Sequence, residues 1–147
     1  MSLGLNHSIV MRVIVVEDHQ DLRQVFMDAL IREGLNATGV SCGEELDECM
    51  AEASVHLIIL DLNLPGESGF DIAKRVRAAD PNINIIMLSA RTAEADRILG
   101  YESGADYYLC KPVSPAELSA AVKAVKRRVQ ANICVGTDLV LRVLGMT

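Results

Sequence analysis

Five polar residues stand where short apolar runs end. Glu17 and Asp18 follow Val13-Ile14-Val15-Val16, and Asp61 closes His56-Leu57-Ile58-Ile59-Leu60. Ser89 follows the run 83–88, and Lys111 follows the run 106–110. The set is three carboxylates, one hydroxyl and one ammonium. Gathered carboxylates repel, so a site built from them is costly without a counter-charge. A hard divalent cation relieves that cost, and Mg²⁺ takes oxygen ligands in an octahedron while keeping several waters. Cation, ammonium and hydroxyl together are what a phosphoryl group needs around it. One carboxylate can then serve as a nucleophile and form an aspartyl-phosphate. Any one of these residues alone is more often a helix cap or a solvated turn. All five falling at the ends of strand-like runs is hard to reconcile with that plainer role.

These residues need elements that bring them to one edge. The strand-like runs alternate with segments of helical period. Residues 21–34 carry Leu22, Val25, Phe26, Ala29 and Leu30 on one face, and Gly34 ends them. A weak strand is expected near 37–40. Ser41-Cys42-Gly43-Glu44 reads as a capping box, opening a helix with the stripe Leu46, Cys49, Met50 and Ala53. The third strand is expected over 56–60, and Pro65-Gly66 marks a turn. A helix over 68–79 buries Ile72, Ala73 and Val76, and Pro81 stops it. Residues 92–103 form the fourth helix, with Ala95, Ile98 and Leu99 inward. Ser114-Pro115-Ala116-Glu117 opens the last helix with an N-cap, Pro at the first position and Glu at the third. Its stripe is Leu118, Ala121, Val122, Val125 and Val129, and Lys126, Arg127 and Arg128 suit a helix C-terminus.

Five βα units with strands apolar on both faces predict an α/β fold: a doubly wound, five-stranded parallel sheet with five helices. In such sheets ligands bind beyond the carboxyl ends of the strands. Glu17, Asp18, Asp61, Ser89 and Lys111 would converge there.

A length of 147 residues fits one domain. Half the residues are hydrophobic, 23% are charged and only 3% aromatic, which excludes a disordered chain. No apolar run is long enough for a membrane span, and no secretory signal opens the chain. Residues 1–10 read as a leader or an expression scar. The net charge of −6 argues against nonspecific nucleic-acid binding by this segment, while permitting a cation site. Cys42, Cys49, Cys110 and Cys134 form no CxxC pair and lie far from the histidines. Reduced, mostly buried thiols and a cytoplasmic protein are expected.

The motifs resemble those of the response-regulator receiver domain of two-component signal transduction. They are Val15-Val16-Glu17-Asp18, the run Leu60-Asp61-Leu62-Asn63-Leu64-Pro65-Gly66-Glu67-Ser68-Gly69, Leu88-Ser89-Ala90-Arg91, Gly104-Ala105-Asp106-Tyr107-Tyr108-Leu109-Cys110-Lys111-Pro112, and Glu117-Leu118. The resemblance covers about 12–130 and places a receiver at 11–130. It implies a flavodoxin-like fold with strand order 2-1-3-4-5. It also implies a phosphorylation-activated switch that assists only its own phosphorylation and dephosphorylation and is not otherwise an enzyme. Asp61 is then the phosphoacceptor, receiving the group from a sensor histidine kinase or a phosphotransfer protein. Asp18 and Asp61 would ligate Mg²⁺, with Glu17 through water and Asn63 through its backbone carbonyl. Lys111 and Ser89 would contact the phosphoryl group, and Tyr108 would turn inward as Ser89 moves. The altered surface would be that of helix 4, strand 5 and helix 5. Pro112 is expected after a cis bond.

The chain departs from the family's commonest pattern in three places. Tyr107 replaces a frequent acidic residue, Ser89 stands where Thr is commoner, and Ala121 stands where the winged-helix subfamily usually carries an Arg. The last change weakens the expectation of that subfamily's usual dimer, and a homodimer of the phosphorylated form stays open. Residues 133–144 read as apolar and strand-like. They weakly resemble the opening strand of a winged-helix DNA-binding domain, so 131–147 is expected to be a linker or the truncated start of an effector domain. Transcription regulation is then the expected output, with DNA contacted only through a domain missing here and no membrane partner. A stand-alone or enzyme-coupled receiver is the alternative. Two other classes fit poorly. A phosphatase with an Asp61 nucleophile needs an acid–base carboxylate two residues on, where Asn63 stands. A flavin carrier needs a phosphate loop after the first strand, where Glu17 and Asp18 would repel it.

Overall fold

The computed structural model describes residues 10–143. Five strands and five helices alternate strictly. The strands are β1 (Arg12–Val16), β2 (Asn36–Val40), β3 (Leu57–Asp61), β4 (Asn84–Ser89) and β5 (Tyr107–Cys110). The helices are α1 (Gln20–Arg32), α2 (Gly43–Glu52), α3 (Gly69–Ala79), α4 (Glu94–Ser103) and α5 (Pro115–Val143). All pairings are parallel and the order is β2-β1-β3-β4-β5, the arrangement expected.

Alternate strand residues feed two cores. Ile14, Val16, Ile58, Leu60, Ile85 and Met87 pack with Leu46 of α2 and with Ile72, Ala73 and Val76 of α3. Val13, Val15, Leu57, Ile59, Ile86 and Leu88 pack with Phe26 and Leu30 of α1 and with Leu118, Val122 and Val125 of α5. Both faces of the sheet are therefore covered, which a parallel sheet requires. Caps fall largely where expected. Ser68 Oγ accepts from the Phe70 N–H at 3.2 Å, and Ser114 Oγ accepts from the Glu117 N–H at 3.1 Å.

Several local expectations are corrected. The partner of Ser41 is Glu45, whose Oε1 accepts from both the Ser41 N–H at 3.0 Å and its hydroxyl. The helix begins one residue later than a Ser41 cap implies, so Glu45 and not Glu44 reaches back. Val25 is exposed on α1, and Ala53 lies exposed beyond the end of α2. On α4 the inward residues are Gly100 and Ser103, while Ala95, Ile98 and Leu99 face out. The cause is Tyr108: a Cβ on Gly100 would lie 2.7 Å from its ring, so only a glycine lets α4 approach the sheet there. Finally, 133–143 continue α5 and do not form a strand. Helix propagation adds one bond per residue once a nucleus exists, and upstream packing supplies that nucleus despite the β-branched content. Of the residues expected to be a leader, 1–9 lie outside the described ones, as do 144–147. Cys42, Cys49 and Cys110 are free and half-buried, where mostly buried thiols were expected.

The contact that sets the loop after β3 is the start of α3. A Cβ on Gly69 would lie 2.8 Å from Leu62 Cα and 3.1 Å from the Asp61 carbonyl oxygen. Backbone cannot rotate away as a side chain can. Gly69→Ala is therefore expected to destabilise the fold by about 1–3 kcal/mol through overpacking, outweighing the roughly 1 kcal/mol helix-propensity gain. Urea unfolding at constant slope measures it, and an equal or raised midpoint would refute the packing argument.

Candidate functional site

The register levels the strand ends. Val16 pairs with Val40 and Leu60, Asp61 with Leu88, and Ser89 with Cys110. Beyond the ladders, the Glu17 N–H donates to the Val40 carbonyl at 3.0 Å and the Lys111 N–H to the Ser89 carbonyl at 2.7 Å. Glu17, Asp61, Ser89 and Lys111 thus leave neighbouring strands at one height.

Glu17, Asp18 and Asp61 each offer a carboxylate oxygen within 4.8 Å of the others. Glu17 and Asp61 are each only 2% exposed, while Asp18 is open to solvent. Lys111 Nζ lies 3.0 Å from Asp61 Oδ1 and 3.2 Å from Glu17 Oε1. The Asn63 N–H also donates to Asp61 Oδ1, at 3.2 Å. One ammonium faces three carboxylates, which leaves a formal excess of two negative charges. Burial, a hydrogen bond with Asp61 and the Asp61 charge push the Glu17 carboxyl up to about 7, although Lys111 pulls the other way. For Lys111, burial works against its charge, but Asp61 and Glu17 outweigh it and the ammonium is held above its usual value. An all-oxygen donor set with this excess charge fits a hard divalent cation of the Mg²⁺ kind. Soft ligands are absent from the cluster.

Ser89 and Tyr108 meet through one residue. Ser89 Oγ accepts from the Arg91 N–H at 2.9 Å, and the Tyr108 hydroxyl donates to the Arg91 carbonyl at 2.8 Å. Tyr108 is already inward, 8% exposed. Its hydroxyl is tied to the β4–α4 loop. The Arg91 link was not found from sequence because it is made by backbone atoms, to which residue type gives no clue. The Lys111–Pro112 peptide is cis, as expected.

Fold and site together define a receiver, and comparison with known proteins agrees. The family model "Response regulator receiver domain" matches residues 13–123, so the chain belongs to that family of phosphorylation-dependent two-component signalling switches. It is 40% identical over 129 residues to the transcriptional regulatory protein GltR of Pseudomonas aeruginosa, covering 86% of this chain and 53% of that protein. It is 39% identical over 117 residues to the transcriptional regulatory protein BaeR of Escherichia coli, covering 80% and 48%. The chain therefore spans about half the length of these curated relatives. Among solved structures, chemotaxis protein CheY4 of Vibrio cholerae superposes with a TM-score of 0.75 at 28% identity, covering 80% of this chain and 99% of that one. Among the described residues, no helix is long and apolar enough to cross a membrane.

The charge excess has a pH signature. Glu17 binds its proton more tightly folded than unfolded, so its contribution to stability is present near pH 4.5 and is lost as pH rises through about 7. The raised Lys111 value matters only in the alkaline range. In a chelator, the unfolding midpoint of the protein is expected to fall between pH 5.5 and 8 more steeply than that of Glu17→Gln. Saturating Mg²⁺ should remove most of that fall. Parallel pH profiles for the two proteins would contradict the assignment.

Proposed function

We propose that Asp61 is the phosphoacceptor of this receiver and takes its phosphoryl group from a phosphohistidine on a sensor histidine kinase or phosphotransfer protein. The observation that carries this reading is the Asp61 carboxylate itself: buried at a strand end, hydrogen-bonded to the Asn63 N–H, and 3.0 Å from Lys111. An Asp61 oxygen attacks phosphorus as the P–N bond breaks. The leaving imidazole keeps the bond's electron pair and takes a proton from water. Asp18 and Asp61, Glu17 through water, and the Asn63 carbonyl would hold Mg²⁺, which supplies positive charge against the phosphoryl oxygens. The chain's catalytic assistance goes no further than its own phosphorylation and dephosphorylation.

The remaining residues turn the new charge into a surface change. Lys111 exchanges one carboxylate for a phosphoryl oxygen. The Ser89 hydroxyl has one donor and accepts from Arg91, so its proton is available to a phosphoryl oxygen. Pulling Ser89 draws the main chain at Arg91, and the Tyr108 hydroxyl follows its acceptor, the Arg91 carbonyl. The β4–α4 loop and the surface of α4, β5 and α5 then shift between two packings.

Transcriptional regulatory relatives in which the matched segment covers only about half the length support a DNA-binding output carried by a separate domain. Residues 11–130 would be the receiver and 131–147 the connection to that domain. The net charge of −6 argues that DNA is not bound by this segment, and a cytoplasmic location goes with this reading.

Asp61→Asn is expected to abolish acid-labile phosphate incorporation from a small phosphodonor with Mg²⁺. Undiminished labelling would sink the assignment. Lys111→Ala should still bind Mg²⁺ but should not transmit a phosphoryl mimic to α4, as read by amide shifts of 94–103. A response equal to the unsubstituted chain's would refute the role given to Lys111.

A further inference from the structure

Asp18 is an exposed loop residue, yet the cation site needs it at a fixed place beside two buried carboxylates. Glu17, just before it, is pinned at both ends of its main chain. Its N–H donates to the Val40 carbonyl of β2, and its carbonyl accepts from Arg23 Nη1 at 2.7 Å. Arg23 comes from the first turn of α1, where its own N–H donates to the His19 carbonyl at 2.9 Å. One residue, by its side chain at Glu17 and its main chain at His19, thus joins both ends of the turn that carries Asp18.

A second observation concerns the path of that side chain. Its stem crosses β2 at Gly39, the residue paired with Val15. A Cβ on Gly39 would lie 2.9 Å from Arg23 Cδ and 3.0 Å from Cγ, and would also strike the Met27 sulfur. Glycine inside a strand weakens it and often marks a close approach. Here the approach is that of Arg23 and Met27, and the strand keeps a gap through which the guanidinium reaches Glu17.

We propose that Arg23 is a positioning residue for the acidic site, holding the Glu17–Asp18 turn through the Glu17 carbonyl so that Asp18 is in place before the cation arrives. This rests on reading Glu17, Asp18 and Asp61 as a divalent-cation site. Groups that orient metal ligands from outside typically change affinity by about 10–100-fold when removed. Arg23 acts through backbone, so the lower figure, about tenfold, is the expectation.

The test uses the full chain and Mg²⁺ alone, titrated by calorimetry because the protein has no Trp to report binding. Arg23→Met keeps the stem over Gly39 and removes the donors; Arg23→Gln keeps a polar group too short to reach. Both should bind Mg²⁺ about tenfold more weakly, with faster amide exchange at Asp18 and His19 in the metal-free state and a nearly unchanged unfolding midpoint. Arg23→Lys, which restores one donor, should recover part of the affinity. A purely structural role would instead lower the midpoint and leave the affinity alone. Unsubstituted affinity in either folded variant overturns the proposal. Absence of Mg²⁺ binding by the unsubstituted chain overturns the cation-site reading beneath it, so the two failures are told apart.

Discussion

The rest of the structure depends on an uneven balance of charge at the carboxyl edge of the sheet. Glu17 and Asp61 are buried there beside one ammonium, and Asp18 adds a third carboxylate at the rim. Burial makes each charge more expensive than it would be in water. Lys111 offsets part of that cost, and Glu17 shows the remainder by holding its proton up to about 7. The site is thus suited to accept positive charge, and on the proposed reading a phosphoryl group would then use those same partners. A fully neutralised site would have little to gain from a cation. A site without Lys111 would leave the buried Asp61 with the Asn63 N–H but no ammonium, at a cost that a bound cation would offset.

That imbalance becomes a signal only because it is connected to a part of the molecule able to move. The amino ends of β4 and β5 are firmly tied. Arg77 donates to the Pro81 carbonyl at 3.0 Å, to the Gly104 carbonyl at 2.6 Å and to Asp106 at 3.0 Å. Arg128 of α5 reaches Asn84 at 2.8 Å and lies 5.5 Å from the centre of the Tyr107 ring. At the carboxyl end, the β4–α4 loop is held to Ser89 through the Arg91 N–H and to Tyr108 through the Arg91 carbonyl. Ser89 lies at the strand edge that carries Asp61 and Tyr108 lies against Gly100 of α4, so on the proposed reading the Arg91 main chain would relay displacement from one to the other.

Much of this was legible in the sequence, for reasons that differ by element. Period and polarity identified the five βα units, because strands buried on both faces leave continuous apolar runs. The site residues were legible because they break those runs at equivalent points. What escaped was decided by contacts that residue type does not encode. The inward face of α4 follows from the Tyr108 ring lying against Gly100, so Ile98 and Leu99, apolar and correctly spaced, point outward instead. The α5 continuation escaped because Ile133, Val135 and Leu139 suit a strand locally, while an upstream helix already nucleated overrides that preference. Arg91 and Arg23 escaped because one acts by its peptide and the other on a peptide.

The exposure of α4 bears on how the switch can work. A helix that buried Ala95, Ile98 and Leu99 would be anchored by its apolar face, and moving it would cost the transfer energy of those side chains, about 1.5–3 kcal/mol for each large one. In this chain the inward stripe is Gly100 and Ser103, with Ser103 Oγ donating to the Leu99 carbonyl at 2.7 Å. Little apolar area holds the helix to the sheet, and one of its closest contacts is the Tyr108 ring. This helix is therefore weakly anchored, and its anchor is bonded to the loop whose Arg91 N–H is held by Ser89. Were Asp61 phosphorylated as proposed, a modest redistribution of charge there would then be enough to bias the position of α4 without opening the two cores beneath it.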